Sequence, residues 1–253
     1  MTIFPGSARS ALLAFVLACI STLVLVSQPV QAATTGSGRA ASESRPVGEF
    51  DAIAVSGSMD LVVRQTGAKE SVEVTADDNL LPLLETVVES GSSGRTLMIR
   101  FKRGENIRSK APIKVSVNAV RLAALASSGS GHLLVEALKT PALKLSISGS
   151  SDARLNELQA DALDVRIAGS GDVSATGNAR QLKVSIAGSG DVNLNALAAD
   201  DVTVSIAGSG DAVVQANKSL GVSIAGSGDV QYSGTATAVR SSVAGSGHVS
   251  KRN

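Results

Sequence analysis

The sequence predicts an all-β fold, a parallel β-helix with coils of about 19–20 residues, and three observations support this prediction. A phrase close to Ile-Ala-Gly-Ser-Gly-Asp occurs seven times, and a fixed period of this kind is typical of a solenoid. The residues before each phrase alternate between apolar and polar, which indicates a strand with one buried face. The repeats leave no room for a helix between strands, so a βαβ crossover is excluded. The seven copies end at residues 132, 152, 172, 191, 211, 229 and 248.

One repeat shows how this sequence forms a coil. Leu182, Val184 and Ile186 face inward from a first strand. The Gly-Ser-Gly that follows lets the chain turn a corner, because glycine accepts a positive φ without steric cost. A second short strand carries Val192, and a weaker third edge supplies one apolar residue, Leu197. Because near-identical strands pair in register, the seven phrases predict seven stacked coils.

Residues 1–32 have the features of a secretory signal. Arg9 is their only charge, Ala11–Val26 is an apolar run, and Val30–Ala32 resembles a small-residue cleavage site. We therefore expect an exported protein, located in the periplasm, at the cell surface or outside the cell.

Two alternatives remain for this leader. Its apolar run approaches the length of a membrane span, so a retained anchor competes with cleavage. Cys19, the only cysteine, ends a Val16-Leu-Ala-Cys19 segment that resembles a lipoprotein processing site, although apolar residues continue past it to Val26. Cleavage after Ala32 leaves a mature chain without cysteine and hence without disulfide bonds.

The rest of the chain divides into a linker and one domain. Residues 33–49, rich in Thr, Ser, Gly and Ala, predict a flexible linker. Residues 50–253 predict a single β-helix domain, with an N-terminal β cap over 50–118 and the repeats over 119–253. The cap begins with a degenerate coil, Phe50–Arg64, and its charged loops suit a segment that covers the end of a solenoid. Three further cap segments alternate like strands: 71–75, 96–101 and 113–117.

Composition excludes several functional classes. With 23 basic and 22 acidic residues the net charge is +1, so no global field attracts nucleic acid or a membrane surface. After the leader the only aromatic residues are Phe50, Phe101 and Tyr232, too few to stack bases. The sequence also lacks a phosphate-binding loop, a zinc-protease helix pair and a dinucleotide fingerprint.

In four features the sequence resembles members of the head GIN domain family of auto-transporter adhesins. These features are the opening Phe50-Asp-Ala-Ile-Ala-Val-Ser-Gly, the segments Ala76-Asp-Asp-Asn-Leu-Leu81 and Thr96-Leu-Met-Ile99, and the serial phrases. The resemblance covers about residues 50–250. It implies a right-handed β-helix, a secreted or surface-associated location in bacteria and an adhesin-like role. The sequence ends a few residues after the last phrase, so we expect no self-transporting barrel from it.

Five aspartates share the last position of the phrase and would form a ladder along the rod. Coils about 4.8 Å apart bring their carboxylates close enough to repel one another. In one interpretation each carboxylate accepts hydrogen bonds from backbone N–H groups of its own Gly-Ser-Gly corner. In the other, the ladder coordinates Ca²⁺ through oxygen ligands. We expect no other metal and no cofactor. The five are Asp152, Asp172, Asp191, Asp211 and Asp229.

No catalytic residues are predicted. His132 and His248 replace Asp in the outer copies, have no partners at ligand spacing, and are interpreted as polar turn residues. Arg154, Arg166 and Arg240 could imitate a pectate-lyase-like site with the aspartates, but they occupy unequal repeat positions. A row of serines lacks the paired base and acid that a nucleophile requires. These serines are Ser170, Ser189, Ser209, Ser227 and Ser246.

Two functions from different classes fit the sequence. The first is a non-enzymatic binding or structural module, adhesin-like, whose strips of Ser, Asp, Lys and Asn engage a glycan or another cell-envelope component. We expect it to bind no nucleic acid and, after removal of the signal, no membrane. The alternative is a carbohydrate-active β-helix enzyme, a polysaccharide lyase or hydrolase. Such an enzyme needs a cleft flanked by long loops, whereas the repeat loops are short and uniform.

The last coil has no later strand to cover it. Val239, Val243 and Val249 would then be exposed at the end of the rod, where only the basic segment 251–253 follows. Exposed strand edges are usually protected. We expect either that this tail folds over the end or that two rods self-associate end to end.

Overall fold

The computed structural model describes residues 33–67, 69–91 and 94–252. The predicted secretory signal, residues 1–32, lies outside the described residues. The described part of the chain contains 19 β-strands and one short 3-10 turn, Leu81–Leu83, and no α-helix. It therefore holds no helix with the length and apolar character needed to cross a membrane.

The strands fall into an N-terminal group and a repeat group. The N-terminal strands are β1 (Thr34–Thr35), β2 (Ala40–Arg45), β3 (Ala52–Gly57), β4 (Asp60–Gln65), β5 (Ser71–Asp77), β6 (Leu84–Gly91), β7 (Gly94–Phe101), β8 (Ile107–Arg108) and β9 (Lys114–Ala119). The repeat strands are β10 (Ala124–Gly129), β11 (His132–Val135), β12 (Leu138–Gly149), β13 (Asp152–Gly169), β14 (Val173–Gly188), β15 (Val192–Gly208), β16 (Ala212–Gly226), β17 (Val230–Ser233), β18 (Ala238–Gly245) and β19 (Val249–Lys251).

The repeat strands stack parallel and in register. Between β14 and β15, for example, Ile186 lies opposite Ile206 and Gly188 lies opposite Gly208. The phrase therefore occupies the same place in each coil, and the predicted fold class, a parallel β-helix, is confirmed. The solenoid has about 6 turns, fewer than the seven predicted coils. At the C-terminal end the turn is incomplete, because residues 234–237 form no strand on the third side.

Each coil has three sides, which we name from the coil that spans residues 182–200. Face A is the side before the corner, 182–188; face B follows the corner, 192–194; face C is the third side, 197–199. The inward side chains of the three faces join one continuous core. In this coil the predicted inward residues are each at most 2% exposed: Leu182, Val184, Ile186, Val192, Leu194 and Leu197.

The two glycines of each corner are required for different reasons. Gly188 has φ 134°, a conformation that side chains rarely adopt, as the sequence predicts. Stacking adds a second reason, since a Cβ on Gly188 would lie 2.2 Å from the carbonyl oxygen of Gly169 in the preceding coil. At Gly190 the close approach acts alone, because a Cβ there would lie 2.2 Å from the carbonyl oxygen of Gly171.

Among the seven phrases, one corner departs from this rule through two compensating substitutions. Ser151 stands where other copies have the second glycine, and Ser127 stands where other copies have Ile. At the equivalent Gly171, a Cβ would lie 2.1 Å from the carbonyl oxygen of Ser151 and 2.9 Å from Cγ2 of Ile147, and the second of these obstacles is a side chain. The smaller Ser127 makes room for the side chain of Ser151, and their buried hydroxyls form a hydrogen bond of 2.8 Å.

The cap consists of the degenerate coil and the strands that follow it in sequence, and these later strands lie beneath the degenerate coil. Strands β3 and β4 form the degenerate coil predicted at Phe50–Arg64 and pair parallel with β10 and β11. The chain then leaves the stack after Gln65 and returns at Leu122, whose side chain is buried. The intervening strands β7 and β9 pair parallel with the opposite edges of β3 and β4. Antiparallel strands β6 and β5 complete the cap by pairing with β7 and β9.

The prediction of a flexible linker at 33–49 is wrong where this segment forms strands β1 and β2. Strand β1 pairs with β8, and β2 adds to β5 as an antiparallel edge strand. The sequence signal is absent because β2 is mostly exposed on both faces, so no apolar alternation marks it. Backbone hydrogen bonds to the edge of the cap hold it instead.

Asp77 anchors this N-terminal segment to the cap. Its fully buried carboxylate accepts hydrogen bonds from the backbone N–H of Gly38 (2.6 Å), the hydroxyl of Ser109 (2.7 Å), and the N–H groups of Lys110 (3.0 Å) and Ala111 (3.1 Å). The hydrogen bond from Ser109, with those from the three backbone groups, holds the pKa of Asp77 far below its ordinary value. The ionised form therefore ties residue 38 to the loop at 109–111.

The C-terminal tail does not fold over the end of the rod. Strand β19 continues face B by pairing parallel with β17, and the N–H of Arg252 donates to the carbonyl of Tyr232. The first of the two alternatives for the tail is therefore wrong for the described residues. In-register pairing with the coil below already satisfies one edge of the tail, and Val239 and Val243 stay exposed.

Candidate functional site

The aspartate row forms a ladder of hydrogen bonds between coils. The Oδ1 atom of Asp172 accepts the backbone N–H of Asp191 at 2.9 Å, and Asp191 in turn accepts that of Asp211 at 2.8 Å. The sequence predicts donors within each aspartate's own corner, and that position is wrong. In-register stacking places each N–H directly over the preceding carboxylate. In the same way Oδ1 of the earlier aspartate accepts the backbone N–H of the later residue in the pairs Asp152 and Asp172, Asp211 and Asp229, and Asp229 and His248.

The ladder begins one coil earlier than the sequence predicts. Asp60, in the degenerate coil, accepts the backbone N–H of His132 at 3.2 Å. The sequence did not identify Asp60 as a member of the aspartate row, because it follows Ser58 and Met59 and the phrase there lacks its second glycine. His132 interrupts the series, and the N–H of Asp152 donates to the carbonyl of Gly131 instead.

A groove of about 580 Å³ runs along face B beside this ladder. Outward side chains two positions apart on a strand point to the same face, so face B presents two parallel rows. The first row is His132, Asp152, Asp172 and Asp191. The second row, of which only Arg154 was considered as a site residue from the sequence, is Leu134, Arg154, Ser174 and Asn193. Reading the second residue after each phrase would have found it.

The groove extends sideways toward face C. A neighbouring depression of about 350 Å³ shares Arg154, Ser174 and Asn193 with it and adds Asn156 and Thr176. Together the two form a shallow surface lined by carboxylates, one guanidinium, amides and hydroxyls. These groups stand on strands fixed by parallel pairing, so their spacing along the rod follows the coil repeat of about 4.8 Å.

A separate groove of about 550 Å³ lies on face C. Three of its four charged side chains form ion pairs: Arg180 contacts Asp161 at 3.2 Å, and Asp200 contacts Lys218, beside the groove, at 2.8 Å, whereas Lys139 has no carboxylate at ion-pair distance among the described residues. These ion pairs involve both carboxylates of the face C groove. In the face B groove Arg154 has no carboxylate at ion-pair distance among the described residues, and the carboxylates there form no ion pair with Lys or Arg.

The aspartate row carries one carboxylate per coil. Among the described residues no group of three or more His, Cys, Asp and Glu side chains is arranged to hold a metal ion. Calcium takes six to eight oxygen ligands converging on one point, whereas the ladder spreads its carboxylates in single file. Calcium binding by the ladder stays the second, untested interpretation of Asp152, Asp172, Asp191, Asp211 and Asp229.

The histidines contact the ladder at its interruption and at its C-terminal end. Nδ1 of His132 lies 3.5 Å from Oδ2 of Asp152, and Nδ1 of His248 lies 3.6 Å from Oδ1 of Asp229. Both histidines are exposed. In each of the corner serines, the backbone N–H donates to the carbonyl oxygen of a glycine in the preceding coil, as Ser189 does to Gly169 at 2.9 Å.

The three arginines are not brought together. Arg154 lines the face B groove, while Arg166 lies on face A and pairs with Asp164 at 2.9 Å. Arg240 belongs to β18 in the last coil. Only Arg154 is therefore placed beside the aspartate row.

Comparison with known proteins agrees with this architecture. Residues 49–236 match the model of the family described as "Putative auto-transporter adhesin, head GIN domain". No curated protein matches the chain.

Several solved structures share the fold over nearly the whole described region. A "putative adhesin" from Bacteroides fragilis NCTC 9343 superposes with a TM-score of 0.80 at 23% identity, covering 87% of this chain and 100% of its own. A "putative adhesin" from Parabacteroides distasonis ATCC 8503 gives 0.68 at 29% identity, covering 87% and 100%. A "putative lipid binding protein" from the same strain gives 0.73 at 26% identity, covering 88% and 100%.

Proposed function

This chain belongs to the head GIN domain family of auto-transporter adhesins, and from that premise we propose that it is an exported, non-enzymatic adhesin-like module whose face B groove binds a hydroxyl-rich glycan of a cell envelope. The observation that carries the proposal is the pair of polar rows lining a groove of about 580 Å³. Glycan hydroxyls both donate and accept hydrogen bonds, and these rows offer both kinds of partner.

The ladder leaves one carboxylate oxygen available in each of two aspartates. In Asp172 and Asp191 the Oδ1 atom accepts an N–H from the next coil, and Oδ2 has no partner among the described residues. Each such oxygen is a free acceptor for a ligand hydroxyl. Arg154 and Asn193 in the second row supply N–H donors. A row of acceptors thus lies beside a row that contains donors. This arrangement is expected to bind neutral or amine-bearing sugars better than acidic ones.

Rigid placement supports binding in this groove. The polar side chains stand on parallel-paired strands over a close-packed core, so little backbone entropy is lost when a ligand binds. A ligand made of repeating units could also occupy successive coils, since the same groups recur along the rod.

A glycan array tests the location of the site with a matched pair of arginines. We expect Arg154→Ala combined with Asn193→Ala to lose the glycan signal of the wild-type chain. Arg166→Ala, an exposed arginine on face A, should keep it. Equal loss in both variants, or in neither, would contradict the assignment to face B.

The alternative function is a carbohydrate-active enzyme that uses Arg154 with the neighbouring aspartates. The concentration of carboxylates in the groove disfavours the acidic polysaccharides on which a lyase acts, because like charges repel. Incubation of the wild-type chain with polygalacturonate and alginate distinguishes the two functions. Release of unsaturated products that Arg154→Ala abolishes would replace the binding proposal with this one.

Export is tested separately from binding. The apolar run at residues 11–26 and membership in a family of adhesin head domains support it. We expect the mature protein to begin at Ala33, which keeps both β1 and β2. N-terminal sequencing of protein recovered from the periplasm or the cell surface checks this start, and an intact Met1 would refute cleavage.

A further inference from the structure

The C-terminal end of face A is an open strand edge. Strand β18 pairs with β16 on one side, and the described residues supply no strand for its other edge. Its core-facing Val239 and Val243 are 38% and 41% exposed, whereas Leu220 and Ile224 in the coil below are each 1% exposed. Such an edge offers unpaired backbone groups and apolar side chains to another strand.

The opposite end of face A is also an open edge. Along this face the strands follow the order β6, β7, β3, β10 and onward to β18. Within the described residues β6 pairs with β7 alone. Its outward side chains are Glu85, Val87 and Glu89, and Val87 is 46% exposed. One sheet therefore ends in a free strand at both ends of the rod.

The two ends carry opposite charge. The outer cap strands β2, β5 and β6 contain one basic residue, Arg45, and four acidic residues besides the buried Asp77. Arg100 on β7 contacts two of the four, so against Arg45 and Arg100 this end keeps an excess of two negative charges. The last strands, β17 to β19, contain Arg240 and Lys251 and no acidic residue. Two C-terminal ends would repel each other, whereas a C-terminal end and a cap attract. The four acidic residues are Glu43, Glu73, Glu85 and Glu89.

We propose that copies of this chain associate head to tail, with β18 of one copy adding to β6 of the next as an antiparallel strand. Both strands are eight residues long. In the fully overlapping register, Arg240 lies opposite Glu89 and Ser242 lies opposite Val87. Outward side chains then meet outward side chains, as pairing requires. Core-facing Val239 and Val243 become covered by the second copy.

This contact is heterologous, because the two surfaces that meet are different. A heterologous contact that does not close into a ring produces an open linear assembly. Rods joined in this way would repeat the face B groove along a fibre, and many weak sites on one assembly bind a repeating ligand with high avidity.

Engineered cysteines test the pairing directly. In the full chain with Cys19→Ser, no native cysteine remains. Residues directly opposite in an antiparallel pair have Cα atoms about 4.5–5.5 Å apart, within reach of a disulfide. We expect Val87→Cys with Ser242→Cys to give a ladder of covalent multimers after oxidation, and each single variant to stay monomeric. A covalent dimer from Ser242→Cys alone would show tail-to-tail contact, and a monomeric double variant would show no contact; either overturns the proposal.

Charge reversal provides an independent test in the same double-cysteine chain. Arg240→Glu should remove most of the multimer ladder, and adding Glu89→Lys should restore it in part, because the opposed pair is re-formed with its signs exchanged while the new lysine lies beside Arg100. Thermal melts of each variant establish that the solenoid is folded. A ladder unaffected by Arg240→Glu, or not restored by Glu89→Lys, would contradict this register.

Discussion

The repeat stack and the N-terminal cap hold their strands by different means. In the stack, each coil makes the same contacts as the next: a buried apolar row, close glycine corners and the aspartate ladder. In the cap, single residues hold single segments, as Asp77 holds residue 38 and Arg100 joins Glu85 and Glu89 on β6. Repetition spreads stability over many equivalent contacts, whereas the cap depends on particular ones. The difference predicts that damage in the stack is global and damage in the cap is local.

The largest effect is expected from a charge in the repeated core. Ile186→Asp places an unpaired carboxylate among buried residues, at a cost of about 3–5 kcal/mol in the free energy of unfolding. Lys183→Asp, on the exposed side of the same strand, should change it by about 0.5 kcal/mol or less. Urea denaturation measures both. Similar losses in the two variants would show that face A is oriented the other way.

A smaller, local effect is expected in the cap at low pH. The depressed pKa of Asp77 contributes stability that is complete above the carboxyl pKa of the unfolded chain, about 3.9, and is lost as the pH falls toward the folded pKa. We expect hydrogen exchange in residues 34–45 to accelerate below about pH 4, while the coils at 172–229 stay protected.

Two variants on the same strand sharpen this test. Asp77→Asn should accelerate exchange in residues 34–45 already at neutral pH and flatten its dependence on pH. Glu73→Gln, an exposed carboxylate of β5, should leave both unchanged. If Asp77→Asn unfolded the coils together with the cap, the two regions would be one cooperative unit and the contrast between them would be lost.

The next effect concerns the one corner where repetition is broken. Ser127→Ile alone should destabilise the chain by about 1–3 kcal/mol, because the larger side chain meets Ser151. Adding Ser151→Gly restores the sequence of the other corners and should recover that loss. A double-mutant cycle in urea measures the coupling. Additive effects would show that the two serines do not compensate each other.

The smallest effect is expected in the aspartate ladder. Asp191→Asn keeps an Oδ1 acceptor for the N–H of Asp211, so we expect a change of about 0.5 kcal/mol or less, whereas Asp191→Ala should cost about 0.5–1.5 kcal/mol. Thermal melts with and without calcium use the same proteins, and we expect no shift with the ion. A calcium-dependent rise that Asp191→Asn abolishes would establish the ladder as a metal site.

The sequence by itself determined the repeated half of the molecule. Period two in Leu182, Val184 and Ile186 fixes which side of the strand is buried, and the Gly-Ser-Gly phrase fixes where each coil turns. These signals are local, and stacking in register copies them from coil to coil. The inward rows and the degenerate coil at Phe50–Arg64 were predictable for the same reason.

Only the tertiary structure decided how the non-repeated parts join the stack. Residues 66–121 fold beneath the coil that precedes them, and β2, exposed on both faces, joins the cap by backbone hydrogen bonds that leave no pattern in the sequence. The second row of the face B groove and the inter-coil partners of the aspartates also depend on which residues stacking places side by side. Contacts of this kind link residues about 20 or more positions apart. They follow from the register of the coils, which no single repeat specifies.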